Sequence, residues 1–441
     1  MCGWGSTSQP HLFGRFTLKT LSSHSKNAYR ALVCFITFLA WLAPIRTNAT
    51  PILPVKSPVP PVYVHYMAWF QAKPAAHVWG WHWTMGRYNP SVTVHGLPQI
   101  ASHYHPQVGP YDSGDLDLLK YQIMLMKMTG IKGVIIDWYG CDKLFDFTAI
   151  NRNVERMVPL LTKAGLKFAL CYEDHTVPQG IKAGLFRAGA AVQHGQALML
   201  WLQKHYFQSP AYIRIDGKPL LLTFGAPYYD DLQWNQIFSV LKTRPLYLTE
   251  SNRREPTASL GAFDWPLPAN GTAAGLAQQR TFLARAKAWP YSLAAAFPGF
   301  NDIYAQAGVG KSWGHIAEAN GHTLESTLKN ALHSSVTAIQ VVTWNDWGEG
   351  TQIEPSLEQG TRDLRIIRTE LRKSDPSLRR WDSRDLQLPA RWYALRKHLI
   401  GSKSAYRTLD TIYRLTIMGH MTAARSLLNR LWRDDIAPGH Q

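Results

Sequence analysis

The chain has 441 residues, 46% of them hydrophobic and 12% aromatic, with a formal net charge of +17. That length can bury a full core and hold one large α/β domain with an appendage, while four cysteines are too few and too scattered for a disulfide framework or a metal-site pattern. The charge invites a nucleic-acid reading, but residues 1–50 carry five basic and no acidic residues, residues 361–441 carry seventeen and eight, and residues 51–360 are left with twenty-five and twenty-two. The basicity belongs to the two ends, so no nucleic-acid partner is expected for the neutral middle.

Residues 1–49 read as a secretory leader. Arg15, Lys19, Lys26 and Arg30 precede an apolar run from Ala31 to Pro44, and Thr47 and Ala49 suit a cut after Ala49. The expectation is a secreted or periplasmic protein, with an uncleaved membrane anchor as the alternative. Residues 50–61 contain five prolines and read as an extended linker.

Strands and helices then alternate. Eight strands are expected at Val62–Met67, Gly133–Asp137, Lys167–Tyr172, Pro219–Phe224, Pro245–Thr249, Ala262–Trp265, Ser292–Phe297 and Ala338–Trp344. Helical patterns fall between most of them, at Leu116–Thr129, Ile150–Ala164, Ala188–Tyr206, Asp231–Leu241, Ala273–Ala288 and Leu324–Ser335. Apolar strands alternating with helices imply a parallel sheet covered on both faces, and eight of them over residues 62–361 imply an α/β fold of the (β/α)8 TIM-barrel type. An open doubly wound sheet is the alternative, but no Gly-x-Gly-x-x-Gly turn follows an early strand.

The long segment from Phe70 to Asp115 holds Trp79, Trp81, Trp83, His103 and His105 and reads as a lid or rim. The two histidines read as rim residues, since no glutamate stands at a helical zinc spacing; no metal and no cofactor are expected. Cys141 and Cys171 either pair or remain two buried thiols.

Acids and aromatics recur where the strands end, the catalytic face of a barrel. Tyr66 and Trp69 follow strand one, Asp137-Trp138-Tyr139 strand two, Tyr172-Glu173-Asp174-His175 strand three, Glu250 strand five and Asp264-Trp265 strand six. The densest group follows strand eight: Trp344-Asn345-Asp346-Trp347-Gly348-Glu349-Gly350-Thr351-Gln352-Ile353-Glu354-Pro355. Asp346 and Glu349 are three residues apart with glycines beside them, so both can face one cleft. Paired carboxylates on an aromatic platform suit glycosidic chemistry, which needs a proton donor and a base or nucleophile. Glu349 is expected in the more apolar setting, against Trp347, and the other acid is expected to stay ionised with hydrogen-bond donors nearby, Asn345 being one candidate. Trp344 and Trp347 are read as sugar-stacking faces, and Glu354, Tyr66, Asp137, Trp138, Glu173 and Glu250 as substrate-binding candidates.

After residue 361 the composition turns basic and helical, with helices expected at Leu364–Lys373, Pro389–Leu399, Ser404–Met418 and Thr422–Trp432. This C-terminal extension, 362–441, presents either a solvated face or a contact with a membrane surface or an acidic glycan.

The strand-eight motif resembles that of glycoside hydrolase family 99 and its relatives, which include bacterial surface-polysaccharide proteins and, more distantly, family 71. Tyr63-Val64-His65-Tyr66-Met67-Ala68-Trp69-Phe70, Gly133-Val134-Ile135-Ile136-Asp137-Trp138-Tyr139-Gly140 and Tyr172-Glu173-Asp174-His175 resemble the same group, in matching order, over Val62 to Glu370. The resemblance implies a (β/α)8 barrel and a retaining, endo-acting glycoside hydrolase for α-mannosides or related glycans. It implies that the first motif acid takes the proton of a sugar 2-hydroxyl, giving a 1,2-anhydro intermediate, and that the second is acid/base. By position these are Asp346 and Glu349. The family has glutamate at the first position; Asp346 is one methylene shorter and serves as that base, as an ordinary nucleophile, or in positioning the sugar. The expected partner is a polysaccharide or oligosaccharide substrate. A non-catalytic glycan-binding protein and a polysaccharide-building transferase are the alternatives, the latter without a Gly-rich phosphate loop.

Overall fold

The computed structural model describes residues 59–435 except Ala226 and residues 254–256. The leader and most of the linker lie outside the described residues. Eight parallel strands form the core: β1 Val62–Met67, β2 Gly133–Trp138, β3 Lys167–Tyr172, β4 Lys218–Thr223, β5 Leu246–Glu250, β6 Gly261–Phe263, β7 Tyr291–Ala296 and β8 Ala338–Val341. Each pairs with the next, β3 with β4 and β8 with β1 included, so the sheet closes in chain order. The register runs Met67–Asp137–Cys171 across β1, β2 and β3, which sets these three at one level. Strands enclosed by helices outside and side chains inside have no wet face, which is why β1 and β2 are buried throughout. Gly133 opens β2 because a Cβ there would lie 2.1 Å from the Lys167 carbonyl oxygen.

The surrounding helices are α1 Leu116–Thr129, α2 Phe147–Ala164, α3 Ala191–His205, α4 Asp231–Phe238, α5 Gly271–Arg285, α6 His322–Leu332 and α7 Arg362–Leu371. Asp115 caps α1 by accepting the Asp117 N–H at 2.9 Å, and Gly130, at φ +93°, ends it. Among the described residues no helix joins β5 to β6. The last barrel helix is α7, inside the segment read from sequence as extension: Arg368 is buried and donates to the Met128 carbonyl at 2.8 Å, tying α7 to the end of α1.

The remaining extension comprises α8 Leu388–His398, α9 Lys403–Met418 and α10 Met421–Asp435. The sequence pattern of α1 suggests one apolar face, yet ten of its fourteen residues are buried, because α8 and α9 cover its outer side. Arg396 pairs with Asp117 at 2.7 Å, Lys120 with Asp410 at 2.8 Å and Lys397 with Asp115 at 2.6 Å, all across that seam. Part of the extension's positive charge is therefore spent inside the protein. No helix among the described residues is long and apolar enough to cross a membrane. Cys141 and Cys171 are both free thiols, Cys171 fully buried.

Candidate active site

β8 ends at Val341, three residues earlier than expected, because the chain beyond it leaves the regular ladder and begins to bond to its own turn. Trp344 N–H donates to the His65 carbonyl at 2.6 Å, and Thr343 N–H to the Thr351 carbonyl at 2.8 Å. The turn that follows carries both acids. Asp346 N–H donates to Thr343 Oγ1 at 2.7 Å, and Asp346 Oδ1 accepts the Glu349 N–H at 3.0 Å. Gly350 sits at φ +64°, where a Cβ would come within 2.7 Å of the Asn301 carbonyl oxygen.

That close approach comes from the segment leaving β7. Asn301 N–H donates to the Glu349 carbonyl at 2.8 Å and Ile303 N–H to that of Gly348 at 3.0 Å. The two strand exits are thereby fastened together, and Tyr304 arrives with its hydroxyl donating to Glu349 Oε1 at 3.2 Å. Asp302 braces this segment by accepting from Ser312 Oγ at 2.9 Å and Trp313 N–H at 2.8 Å. His103, read as a rim residue, bonds through Nε2 to the Asp302 carbonyl at 3.1 Å, whereas His105 pairs with Glu358 at 2.9 Å.

The two acids differ electrostatically. Burial pushes Asp346 up to about 7, and the backbone N–H groups of Glu349 and Gly348 oppose that push. Burial and then the Asp346 charge hold Glu349 well above the carboxylate range, with the Tyr304 hydroxyl only partly offsetting them. Of the two, Asp346 is the first to ionise as pH rises through about 7, and Glu349 holds its proton to higher pH. Across the barrel mouth, His175 Nδ1 meets Glu173 Oε2 at 2.7 Å, and burial raises Glu173 to about 8. Asp137 is raised well above its usual range by burial and by Glu173, and both acids feel the charge of Asp346. Tyr139 packs edge-on to His175 with ring centres 5.7 Å apart, and Trp69, stacked on His82 at 4.1 Å, lies 6.3 Å from Tyr139. The result is a cleft with four neighbouring carboxyl groups and an aromatic wall.

Several residues read as sugar-binding lie underneath. Trp344, Asn345, Trp347, Glu354, Tyr66 and Trp138 are at most 1% exposed. Glu354 accepts from Tyr111 at 2.6 Å and from Gln122 at 2.8 Å, and Gln122 accepts from Tyr66 at 2.7 Å. Trp347 Nε1–H donates to Tyr111 Oη at 3.0 Å. Asn345 is not the donor to Asp346; it bonds the backbone of Met67 in both directions, at 2.8 and 2.9 Å. Tyr66 and Trp138 follow the inward-pointing His65 and Asp137, so strand alternation turns them outward, beneath the helices. Trp138 Nε1–H donates to Asn151 of α2 at 3.0 Å. Trp347 stands against Tyr111, leaving Tyr304 as the hydrogen-bonding neighbour of Glu349. These six residues hold the floor in place and offer no surface to a ligand.

Glu250 sits beside the cleft. Its Oε1 accepts the Gly225 N–H at 3.0 Å and faces Arg253 at 3.7 Å, next to a small cavity lined by Thr223, Tyr247 and Thr249. Tyr304, Asp302, His175 and Tyr139 were given no role from sequence. Tyr139 and His175 stand next to acids at strand ends, a usable signal; Tyr304 has no sequence signal at all. At the floor, the ligand-capable atoms of His65, Asp137 and Cys171 lie within 4.8 Å of one another.

No protein-family profile matches the chain. In sequence it is 23% identical over 301 residues to a zebrafish (Danio rerio) "glycoprotein endo-alpha-1,2-mannosidase-like protein", covering 63% of this chain and 63% of that relative's length. In structure it is similar to the GH99 endo-α-mannosidase of Bacteroides thetaiotaomicron, with a TM-score of 0.55 at 19% identity over 71% of this chain and 97% of that one. The same enzyme with bis-tris-propane gives 0.53 at 20% identity, covering 72% and 97%. A "glycoside hydrolase-like protein" gives 0.52 at 14% identity, covering 73% and 97%. The chain is thus a (β/α)8 barrel with a helical C-terminal part, and its likeness in sequence and fold is to the endo-α-mannosidase proteins of glycoside hydrolase family 99.

Proposed function

We propose that the chain is a glycoside hydrolase acting on mannose-containing glycans, with Glu349 as proton donor and Asp346 as the ionised partner. The observation that supports this reading is the shared turn. It sets Asp346 under two backbone N–H groups that favour its ionised form, while its neighbour holds a proton more firmly. Such splitting of two nearby acids is how one site supplies both proton donor and base at neutral pH.

In the retaining reading, Asp346 takes the proton of the sugar 2-hydroxyl as that oxygen bonds to C1. Glu349 gives its proton to the departing glycosidic oxygen as the C1–O bond breaks. Water then attacks C1 as the bond between C1 and the 2-oxygen breaks; the water loses a proton to Glu349 and the 2-oxygen regains its proton from Asp346. Both acids end as they began. Glu173 and Asp137 face the same mouth and are placed to hold hydroxyls; Tyr139 and Trp69 offer the rings. The leader read at residues 1–49 supports action outside the cytoplasm.

The test is release of reducing ends from α-mannans and mannosyl oligosaccharides, with glucans as comparison. Product from the wild type and its loss in Glu349→Gln is the expected result. No product from any mannose-containing glycan sinks the reading.

A further inference from the structure

Below the Asp346–Glu349 pair, a second constellation shares Asp137 with the cleft and adds two groups, His65 and Cys171, that the proposed reaction does not use. His65 comes from β1, Asp137 from β2 and Cys171 from β3, all pointing into the barrel, all buried, and with ligand-capable atoms within 4.8 Å of one another. We propose that His65, Asp137 and Cys171 form a site for a divalent cation of the zinc class, held at the floor of the cleft.

The first support is the state of Asp137. It is 3% exposed, no N–H or hydroxyl donor meets its oxygens, and the side-chain hydrogen bond it makes is shared with another acid, Glu173. A buried carboxyl group without such a donor is costly unless something else meets it. The charged neighbours that bear on it are Glu173, His175 and Asp346; those on Cys171 are Asp137, Glu173 and Glu250, with no lysine or arginine among them.

The second support is the preparation of His65. Its Nδ1 faces Gln340 Oε1 at 3.4 Å, and Gln340 Nε2 is anchored on the Asp264 carbonyl at 2.9 Å. With Nδ1–H directed at Gln340, Nε2 presents a lone pair, which is how ligating histidines are normally oriented. Trp265 packs edge-on against the ring at 4.8 Å and fixes its plane.

The ligand set selects the ion. Thiolate and imidazole favour zinc-class metals over magnesium or calcium, which take oxygen ligands. Tetrahedral zinc with bonds of about 2.0–2.3 Å places its ligand atoms roughly 3.3–3.8 Å apart, so the trio need draw in by up to about 1.5 Å. Three protein ligands leave a fourth position, and Glu173, which stands against Asp137, is its neighbour on the cleft side. Binding releases the thiol proton and any proton on Asp137.

The full-length protein, dialysed against zinc and then against metal-free buffer, should retain about one zinc per chain by mass spectrometry. Cys171→Ser should retain less than about a tenth of that, with an unchanged far-ultraviolet circular dichroism spectrum. Replacing Cys2, Cys34 and Cys141 together by serine leaves Cys171 as the sole thiol and guards against a misfolded Cys171 variant. Cobalt(II) added to that protein should give a thiolate-to-metal charge-transfer band. No retained zinc in the wild type, no band in the single-thiol protein, or zinc retained by a folded Cys171→Ser each overturns the proposal.

Discussion

Asp346 and Glu349 are joined by a bond that leaves the reactive group of one free: the Asp346 carboxylate accepts the Glu349 backbone N–H at 3.0 Å, while the Glu349 carboxyl turns to Tyr304. Asparagine at 346 can accept the same N–H but cannot take a proton from a hydroxyl. Asp346→Asn is therefore expected to keep the turn and lose about 10²–10⁴-fold in kcat/KM on a mannosyl oligosaccharide. Asp346→Ala should lose a similar factor and, in addition, about 1–3 kcal/mol of stability in urea unfolding, as a hydrogen bond to a charged group goes. An Asn variant with near wild-type kcat/KM would refute the role given to Asp346.

Tyr304 reaches Glu349 from a different strand, and its hydroxyl stabilises the ionised form of that acid. Tyr304→Phe should push the Glu349 proton affinity higher still. The basic limb of the kcat/KM profile, where the donor loses its proton, should then move to higher pH by up to about one unit. The acidic limb, governed by Asp346 near 7, should move less. Both limbs belong to the coupled pair and are compared as whole profiles. A basic limb left in place would show that Tyr304 does not act on Glu349.

The barrel was legible in the sequence because buried parallel strands are continuous apolar runs, and all eight stand within three residues of where those runs place their starts and ends. Asp346 and Glu349 were legible through the density of acids after β8. What the residues could not tell is direction. Strand alternation assigns Tyr66 and Trp138 outward once His65 and Asp137 face inward, but it lapses beyond Val341, where Trp344, Asn345 and Trp347 follow an irregular path into the floor. Tyr304 escaped because its position depends on backbone bonds between two strand exits more than forty residues apart in the chain.

Glu354 shows the consequence of that lost direction. It carries the look of a hydroxyl-binding acid, yet Tyr111 and Gln122 occupy both of its oxygens in the floor. Glu354→Gln replaces one acceptor by an NH2 group facing a donor and should cost about 1–3 kcal/mol in unfolding free energy. KM for the glycan should stay within about twofold, since a change in uniform binding is what raises KM alone. A stable variant with a raised KM would return Glu354 to the substrate.

Asp264 offers a separate test of how this protein stores protons. It is fully buried at the end of β6; burial raises it to about 8, against the opposing bond from Gln278 at 2.7 Å. Its folded value lies above the unfolded value of about 4, so the folded state binds the extra proton. That contribution is fully present below about pH 4 and is lost as pH rises towards 8, at up to about 1.4 kcal/mol per pH unit. Glu354 and Asp346, each pushed by burial to about 7, act in the same direction. Urea midpoints should therefore fall between pH 5 and pH 8. Asp264→Asn carries no proton to lose and can still accept from Gln278, so its midpoints should fall less steeply over that range. Equal slopes in the two proteins would mean that Asp264 is ionised in the fold and that its charge is balanced in another way.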